Sequence, residues 1–225
     1  MRIGNTREEI FTTIYQTNHW KSFQSASGPG SELRQTEKLR RALPEVFEKY
    51  NLQSMLDIPC GDFNWMKCVD ISCLDYYIGS DIVEDLIQNN SKLYSNKKVS
   101  FLRLDIVEDP LPTADLVFTR DCFVHLSDIE ILNALKNIIR SGSKYFLSTT
   151  YPNHLNNKDT SQGKWRPINL NRPPFNLPSY IDCIDIDFQN GGKNYPGNTM
   201  GLWLIESLKK TKRWVEVDGP HVGQV

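Results

Sequence analysis

The chain has 225 residues, with 26 basic and 27 acidic side chains and a formal net charge of −1. A chain of this length buries about 70% of its unfolded surface, so it folds without disulfides or a structural metal. The near-balance of charge provides no long-range field that would attract nucleic acid or an anionic membrane. We therefore expect one domain, 1–225, that binds neither; the sequence leaves the oligomeric state open.

The cysteines and the apolar segments bear on the compartment. Five cysteines form an odd set without a C-x-x-C pair, which favours reduced thiols over disulfides or zinc ligands. Residues 1–16 lack the apolar core of a signal peptide, and the longest unbroken apolar run is Leu202–Ile205. These features predict a cytoplasmic protein without a metal or a membrane span.

The first fifty residues predict a helical N-terminal cap. Segment 5–9 (Asn-Thr-Arg-Glu-Glu) is typical of a helix cap and first turn. Segment 25–31 (Ser-Ala-Ser-Gly-Pro-Gly-Ser) then interrupts the helical pattern. Residues 32–50 place leucine, valine and phenylalanine side chains on one helical face, and Pro44 kinks or restarts that helix.

Residues 51–150 alternate between short apolar runs and amphipathic stretches. This alternation is typical of a mostly parallel sheet with helices on both faces, an α/β fold. Strands are predicted at 54–58, 75–80, 99–104, 114–119 and 144–150, and helices at 81–93 and 128–140.

The last part of the chain departs from this alternation. Residues 152–180 are rich in proline and asparagine, which indicates a long functional loop. Residues 181–188 and 199–206 alternate in polarity and predict an antiparallel hairpin, with a helix at 201–210 as the competing interpretation. The predicted parts are a cap (1–50), a cofactor-binding core (51–150) and an acceptor loop with terminal strands (151–225).

The first predicted strand leads into a motif that suits a nucleotide-like ligand. Asp57 ends the strand, and Gly61 follows in a tight turn before a predicted helix start. A glycine without a Cβ lets a ligand lie against the backbone, and α/β folds bind ligands at the carboxyl ends of their strands. A plain strand-to-helix turn explains the same segment equally well.

Acids also end the next two predicted strands. Asp81 lies roughly 20 residues past the glycine turn, where such folds bind ribose hydroxyls; it also suits a helix N-cap. Asp105 could accept from an adenine amino group while Ile106 packs on the ring, or it could cap a loop. The fourth strand ends in Arg120 and Asp121. Three acids ending three successive strands favour a ligand site at this sheet edge.

Residues 54–150 resemble the class I S-adenosylmethionine-dependent methyltransferases. The resemblance rests on four strings in chain order: LDIPCGDFNWM, YIGSDI, FLRLDI and ADLVFTRDCFVHLS. The resemblance implies a Rossmann-like, mostly parallel seven-stranded sheet with an antiparallel C-terminal hairpin, and S-adenosyl-L-methionine as cofactor. Pro59 and Phe63 stand where that family usually has its outer glycines. By position, the cofactor would contact Asp57, Cys60, Gly61, Asp81, Ile82, Asp105, Ile106 and Arg120, with Asp121 near the sulfonium.

Segments outside this core are predicted to complete the site. Trp20 and Arg34 would fold across the cofactor, although a docking helix and turn explain them as well. The proline-rich segment 152–180 contains lysine and arginine side chains between its prolines, and such cations suit an anionic acceptor. The predicted acceptor-binding residues are Arg120, Lys164, Arg166, Asn169 and Arg172. The candidate general bases for a neutral acceptor are His125, Asp121 and Tyr151, with His154 as a further candidate.

The most specific resemblance is to small bacterial methyltransferases that modify surface polysaccharides, including those acting on phosphoramidate groups. It implies a small, anionic acceptor. The alternatives are methylation of another small metabolite with His125 or Asp121 as base, and a non-catalytic cofactor-binding module. A nucleic-acid methyltransferase is disfavoured, because the charge is balanced and Asn171-Arg-Pro-Pro-Phe175 only approaches the Asn/Asp-Pro-Pro-Tyr/Phe signature.

Overall fold

The computed structural model describes residues 6–186, 189–190, 193–194 and 197–209. The helices are α1 (Arg7–Gln16), α2 (Glu37–Lys49), α3 (Glu84–Tyr94), α4 (Asp128–Arg140) and α5 (Ile205–Lys209). The strands are β1 (Ser54–Asp57), β2 (Tyr76–Asp81), β3 (Val99–Arg103), β4 (Leu116–Thr119), β5 (Tyr145–Thr150), β6 (Asp182–Asp185), β7 (Gln189–Asn190), β8 (Lys193–Asn194) and β9 (Thr199–Leu204).

Seven of these strands form one mixed sheet in the order β3-β2-β1-β4-β5-β9-β6. Strands β1 to β5 pair in parallel, whereas β9 runs antiparallel to both β5 and β6. Strands β7 and β8 pair separately with each other. The predicted fold class, a mostly parallel seven-stranded sheet with an antiparallel C-terminal hairpin, is confirmed.

The core lies on both faces of this sheet because successive strand residues point to opposite sides. In β1, Met55 packs in the cluster that contains Leu43 of α2 and Leu86 of α3. Its neighbour Leu56 packs in the cluster that contains Leu135 of α4. Burial on both faces explains why the central strands are continuous apolar runs.

The helix predicted directly after β1 is absent. Residues 59–65 form turns, followed by a short 3-10 turn at Met66–Cys68. Gly61 has a φ of 55° and Phe63 a φ of 57°, and a right-handed helix requires negative φ values. The segment therefore forms turns in place of a helix, and its residues 59–61 line the cavity described below.

The remaining differences concern element ends. The α1 helix has the predicted capping box, with Thr6 and Glu9 bonding each other's backbone. Helix α2 starts at Glu37, later than predicted, and continues through Pro44. Both C-terminal interpretations are realised in part, because β9 ends at Leu204 and α5 begins at the next residue. Positions 5, 187–188 and 210 of the predicted segments lie outside the described residues.

Residues 152–180 contain no helix or strand, as predicted. Within the described part of the chain, none of the helices combines the length and apolar character that crossing a bilayer would require.

Candidate functional site

A cavity of about 650 Å³ opens at the carboxyl ends of the parallel strands. It lies across β1 and β4, where the strand order reverses, which is the usual ligand position in open α/β sheets. Its volume falls within the range of about 300–1,000 Å³ for small-molecule sites. The acids that end β1 and β2, together with residues of α1, line it.

The end of β1 contributes a buried carboxyl group. Asp57 is 2% exposed and accepts a hydrogen bond from the Tyr77 hydroxyl at 2.5 Å. Burial raises the pKa of Asp57 to about 8, although the Tyr77 hydrogen bond opposes that shift. Burial also raises the pKa of the neighbouring Cys60 thiol. Both residues line the cavity as uncharged groups at neutral pH.

The glycine turn bonds directly to the acid that ends β2. The Gly61 N–H donates to Asp81 Oδ2 at 3.2 Å, and the Val83 N–H donates to Asp81 Oδ1 at 3.1 Å. Burial raises the pKa of Asp81 to about 6, and these backbone hydrogen bonds limit the rise. A side chain at position 61 would collide with the Ser27 hydroxyl. The turn therefore requires glycine and fixes the Asp81 carboxylate at the cavity.

The residue after β3 pairs with a cation that the sequence did not indicate. Arg7 of α1 forms an ion pair with Asp105 and another with Glu130, in which Arg7 Nε lies 2.9 Å from Glu130 Oε1. Asp105 Oδ1 accepts from the Val107 N–H at 2.9 Å. Asp105, Ile106 and Arg7 all line the cavity. Sequence reasoning missed Arg7 because its partners are distant in the chain.

Helix α1 covers the cavity, and we call it the α1 roof (Arg7–Gln16). Its Phe11, Ile14 and Tyr15 side chains line the interior. The Tyr15 hydroxyl accepts from Asn89 of α3 at 3.2 Å, and Gln16 donates to Asp85 of α3 at 3.1 Å. Because Arg7 also reaches α4 through Glu130, the roof is fastened on two sides.

The segment between the two N-terminal helices forms another wall. Asp62 accepts from the Ser25 hydroxyl at 2.9 Å and from the Ala26 N–H at 2.8 Å, which anchors the segment to the glycine turn. Trp20 lines the cavity, as do residues 26–31. Arg34 is exposed and does not line it, so its predicted cofactor contact has no geometric basis.

Arg120 is a cation in the cavity wall whose side chain is 10% exposed. Its Nη2 donates to the Gly30 carbonyl at 2.9 Å and lies 3.3 Å from Asp121 Oδ2. The guanidinium lies over the Trp65 ring, 5.5 Å from its centroid. Among the described residues, none bonds to its buried Nε. This nitrogen thus keeps an unused N–H donor within the described part of the chain.

One end of the cavity, which we call the β5 end, is lined by Asp121, His125, Tyr151, Trp165 and Asn198. The Asp121 N–H donates to the Thr149 hydroxyl of β5 at 2.9 Å. Asn198 precedes β9, whose Thr199 pairs with Thr150 of β5. Three of the four predicted general bases, Asp121, His125 and Tyr151, therefore line this end together, whereas His154 does not line the cavity.

Two polar atoms of the β5 end are buried without a hydrogen-bond partner in the described part of the chain: His125 Nδ1 and Asn198 Oδ1. Burial lowers the pKa of His125, while the charge of Asp121 and a hydrogen bond with the Lys164 backbone raise it. The net direction is downward, so the imidazole is neutral at pH 7. The Trp20 ring lies against it, with centroids 5.2 Å apart.

The acceptor-binding residues predicted in segment 152–180, which we call the anion clamp (Lys164, Arg166, Asn169 and Arg172), lie outside the cavity. Arg166 is 7% exposed, and its Nη2 donates to the Leu126 carbonyl at 2.9 Å and to Asp128 Oδ1 at 2.8 Å. Asn169 donates to the Pro152 and His154 carbonyls, while Lys164 and Arg172 are exposed. None of these four residues lines the cavity. They hold the loop or face solvent, whereas the partly exposed Trp165 of the same segment lines the cavity.

Solved structures with low sequence identity share this architecture. Magnesium protoporphyrin IX methyltransferase from Synechocystis PCC 6803, solved with bound S-adenosylmethionine, has a TM-score of 0.55 at 10% identity, covering 91% of this chain and 99% of that chain. Phosphoethanolamine N-methyltransferase 1 from Haemonchus contortus, solved with phosphoethanolamine and S-adenosylhomocysteine, has a TM-score of 0.50 at 19% identity, covering 69% and 35%. Human N-acetylserotonin methyltransferase, solved with S-adenosylmethionine, has a TM-score of 0.47 at 18% identity, covering 74% of this chain and 51% of that chain.

The chain spans 66% of a bacterial Hen1 methyltransferase domain and 51% of a Clostridium acetobutylicum methyltransferase. No protein-family model and no curated protein matches it. Similarity at these identities establishes a shared fold, and a fold alone does not define an activity. The chain has the fold of the class I S-adenosylmethionine-dependent methyltransferases, as the sequence predicted.

Proposed function

We propose that this protein is a methyltransferase that uses S-adenosyl-L-methionine and acts on a small molecule. One observation carries the proposal: Asp57, Asp81 and Asp105 end or follow three neighbouring parallel strands and line one cavity. The solved neighbours with bound S-adenosylmethionine or S-adenosylhomocysteine support it through their shared fold.

The polar groups of the cavity match the cofactor part by part. The Asp81 carboxylate can accept from the two ribose hydroxyls, and it would repel a phosphate at that position. Asp105 can accept from the adenine amino group, with Ile106 against the ring. Arg120, whose buried Nε has no partner among the described residues, suits the carboxylate of the methionine part.

When bound, S-adenosylmethionine supplies an electrophilic methyl group on a sulfonium. This chain's residues would bind, orient and shield it: Asp105 and Arg120 would hold its two ends, Asp81 its ribose, and the α1 roof would exclude water. At the β5 end, neutral His125 can take the proton that an acceptor loses, and Asp121 can orient the acceptor. Tyr151 is a further candidate for that role.

The acceptor is the finer question. An anionic acceptor such as a phosphate or phosphoramidate, as in surface-polysaccharide biosynthesis, was predicted from the cations of segment 152–180. Since those cations lie outside the cavity, we favour an acceptor that gives up a proton at the β5 end. A non-catalytic cofactor-binding module is the alternative, and it would bind the cofactor without transferring its methyl group.

The test is calorimetric titration with S-adenosylhomocysteine, using the wild type, Asp81→Asn and Asp75→Asn. Asp75 is exposed and outside the cavity, so it is a matched control. A hydrogen bond to a charged group contributes about 1.5–3 kcal/mol, so Asp81→Asn is expected to weaken binding about 10–100-fold. Absence of wild-type binding, or equal binding by Asp81→Asn, would contradict the proposal. Transfer of a labelled methyl group then separates enzyme from binding module.

A further inference from the structure

The β5 end combines aromatic rings with hydrogen-bond acceptors. The Trp20 and His125 rings lie with centroids 5.2 Å apart, and the Tyr151 and Trp165 rings meet edge to face at 6.0 Å. All four rings line the same cavity. Indole and phenol faces carry negative quadrupole density and attract ammonium groups. The rings therefore suit a cation or a flat apolar group.

The polar atoms at this end share one character. Asp121 presents a carboxylate, whose nearest partners are Thr149 Oγ1 and Arg120 Nη2, each 3.3 Å away. Asn198 presents a buried carbonyl oxygen without a partner among the described residues. His125 Nδ1 is also without such a partner, and in the neutral imidazole that hydrogen-bonds the Lys164 backbone it carries a lone pair. All three groups accept hydrogen bonds.

Cations to hold an anion are scarce here. The carboxyl and guanidinium side chains among the described lining residues belong to four aspartates, of which Asp57 is uncharged at neutral pH, and to Arg7 and Arg120. Arg7 is occupied by Asp105 and Glu130 under the α1 roof. Arg120 donates to the Gly30 carbonyl and faces Asp121. A group that donates several hydrogen bonds and carries positive charge complements this end better than a phosphate.

We propose that the methyl acceptor is an amine, bound as an ammonium by Asp121, Asn198 and the surrounding rings. This rests on the proposed function. The ammonium first transfers one proton through His125 to solvent, which frees the nitrogen lone pair. That lone pair forms the new bond to the methyl carbon while the carbon–sulfur bond breaks and its electron pair remains on sulfur. The methylated, cationic amine and S-adenosylhomocysteine are the products.

The experiment compares isosteric probes with the protein saturated with S-adenosylhomocysteine. One set is 2-phenylethylamine, 2-phenylethanol and 2-phenylethyl phosphate, and the other is butylamine, 1-butanol and butyl phosphate. Binding is measured by ligand-observed NMR titration, and labelled methyl transfer is measured with the same probes. At least one amine is expected to bind tenfold or more tightly than its alcohol and phosphate counterparts and to receive the label.

Variants distinguish an ammonium site from general apolar binding. Asp121→Asn is expected to weaken binding of that amine at least tenfold and to weaken binding of its alcohol by less; Asp75→Asn should change neither. Retained S-adenosylhomocysteine binding verifies that Asp121→Asn folds. Preference for an alcohol or a phosphate, or no amine binding, would overturn the amine assignment while leaving the cofactor site intact. Failure of S-adenosylhomocysteine to bind would overturn both proposals.

Discussion

Asp57 and Asp81 end neighbouring strands of one sheet, yet their environments give them different charges. Among the described side chains, Asp57 accepts a hydrogen bond from the Tyr77 hydroxyl alone, and burial raises its pKa to about 8. Asp81 receives two backbone N–H groups, and its pKa rises only to about 6. At pH 7 the cavity therefore presents one neutral and one ionised carboxyl group, so Asp57 can donate a hydrogen bond to a ligand where Asp81 accepts.

The raised pKa of Asp57 predicts a pH dependence of stability. Between the unfolded value of about 3.9 and the folded value of about 8, the folded protein retains a proton that the unfolded chain releases. Its contribution to stability is fully present below about pH 4 and is lost as the pH rises through about 8. Asp57→Asn is expected to show a smaller fall in the urea midpoint from pH 5 to pH 8 than the wild type.

The exposed Asp75→Asn serves as the control and should keep the wild-type pH profile. Because groups that are not coupled to Asp57 titrate alike in all three proteins, the difference between profiles reports Asp57 together with its coupled neighbour Asp81. Parallel profiles for the wild type and Asp57→Asn would show that this carboxyl group is ionised in the folded protein.

The sequence predicts individual cavity residues where they stand at the end of an apolar strand. The acids after β1, β2 and β3 and the pair Arg120–Asp121 follow apolar runs, and all of them line the cavity. Arg7 could not be predicted in this way, because its partner Asp105 lies 98 positions away and nothing local marks the contact. Their site roles stay predictions that the binding experiments test.

At the level of elements, the α1 roof depends on one buried ion-pair cluster. The Arg7 side chain is 12% exposed, and its partners Asp105 and Glu130 are 11% and 7% exposed. Arg7→Met leaves two buried carboxylates without their cation, so it is expected to lower the free energy of unfolding by about 3 kcal/mol. Urea denaturation measures this loss.

The matched control is Arg41→Met. Arg41 pairs with Glu37 one turn away on α2, with both side chains exposed, and such pairs contribute about 0.5 kcal/mol or less. Equal losses in the two variants would mean that the Arg7 cluster is no stronger than a surface pair.

The segment 152–180 yields a contrast between two arginines. Arg166 bonds the start of α4 through Asp128, whereas Arg172 is exposed. Arg166→Ala is therefore expected to destabilise the protein by about 3 kcal/mol in urea denaturation, and Arg172→Ala should leave stability and acceptor kinetics unchanged. If Arg172→Ala lost acceptor affinity at normal stability, the result would contradict this prediction and support the anion clamp.

Elements were predictable where periodicity alone decides them. Helix α4 has the predicted bounds, and the five parallel strands agree within one or two residues, because their burial on both faces produces unbroken apolar runs. The turn after β1 was not predictable, since the positive φ of Phe63 depends on packing against Tyr77, Tyr94 and Phe101. The orientation of Arg166 likewise depends on tertiary contacts.

For the whole molecule, a ligand that binds only the folded protein raises its global stability. A ligand at one hundred times its dissociation constant adds about 2.7 kcal/mol, and each kcal/mol raises the Tm of a 225-residue chain by about 2–4 °C. Saturating S-adenosylhomocysteine is therefore expected to raise the Tm by about 5–10 °C in calorimetry. Asp81→Asn is the control and should show a smaller rise at the same concentration. A wild-type Tm independent of ligand would contradict binding to the folded state.

The division into cap, core and acceptor segment also belongs to this scale and stays a prediction. The cap contributes the α1 roof, the core contributes the strand-end acids, and the last segment contributes Tyr151, Trp165 and Asn198. Since all three parts meet around one cavity, we expect them to unfold together.

The aromatic lining has an optical consequence. Three of the five tryptophans, Trp20, Trp65 and Trp165, line the cavity, whereas Trp203 is buried in the core. Indole emission responds to the polarity and the quenchers around the ring. Occupation of the cavity should therefore change the intrinsic fluorescence of the protein: Trp65, whose ring contacts the Arg120 guanidinium, should respond to a ligand that binds this cation, and Trp165 to a ligand at the β5 end. The Trp65→Phe and Trp165→Phe variants would then allow cofactor binding and acceptor binding to be measured as separate fluorescence changes.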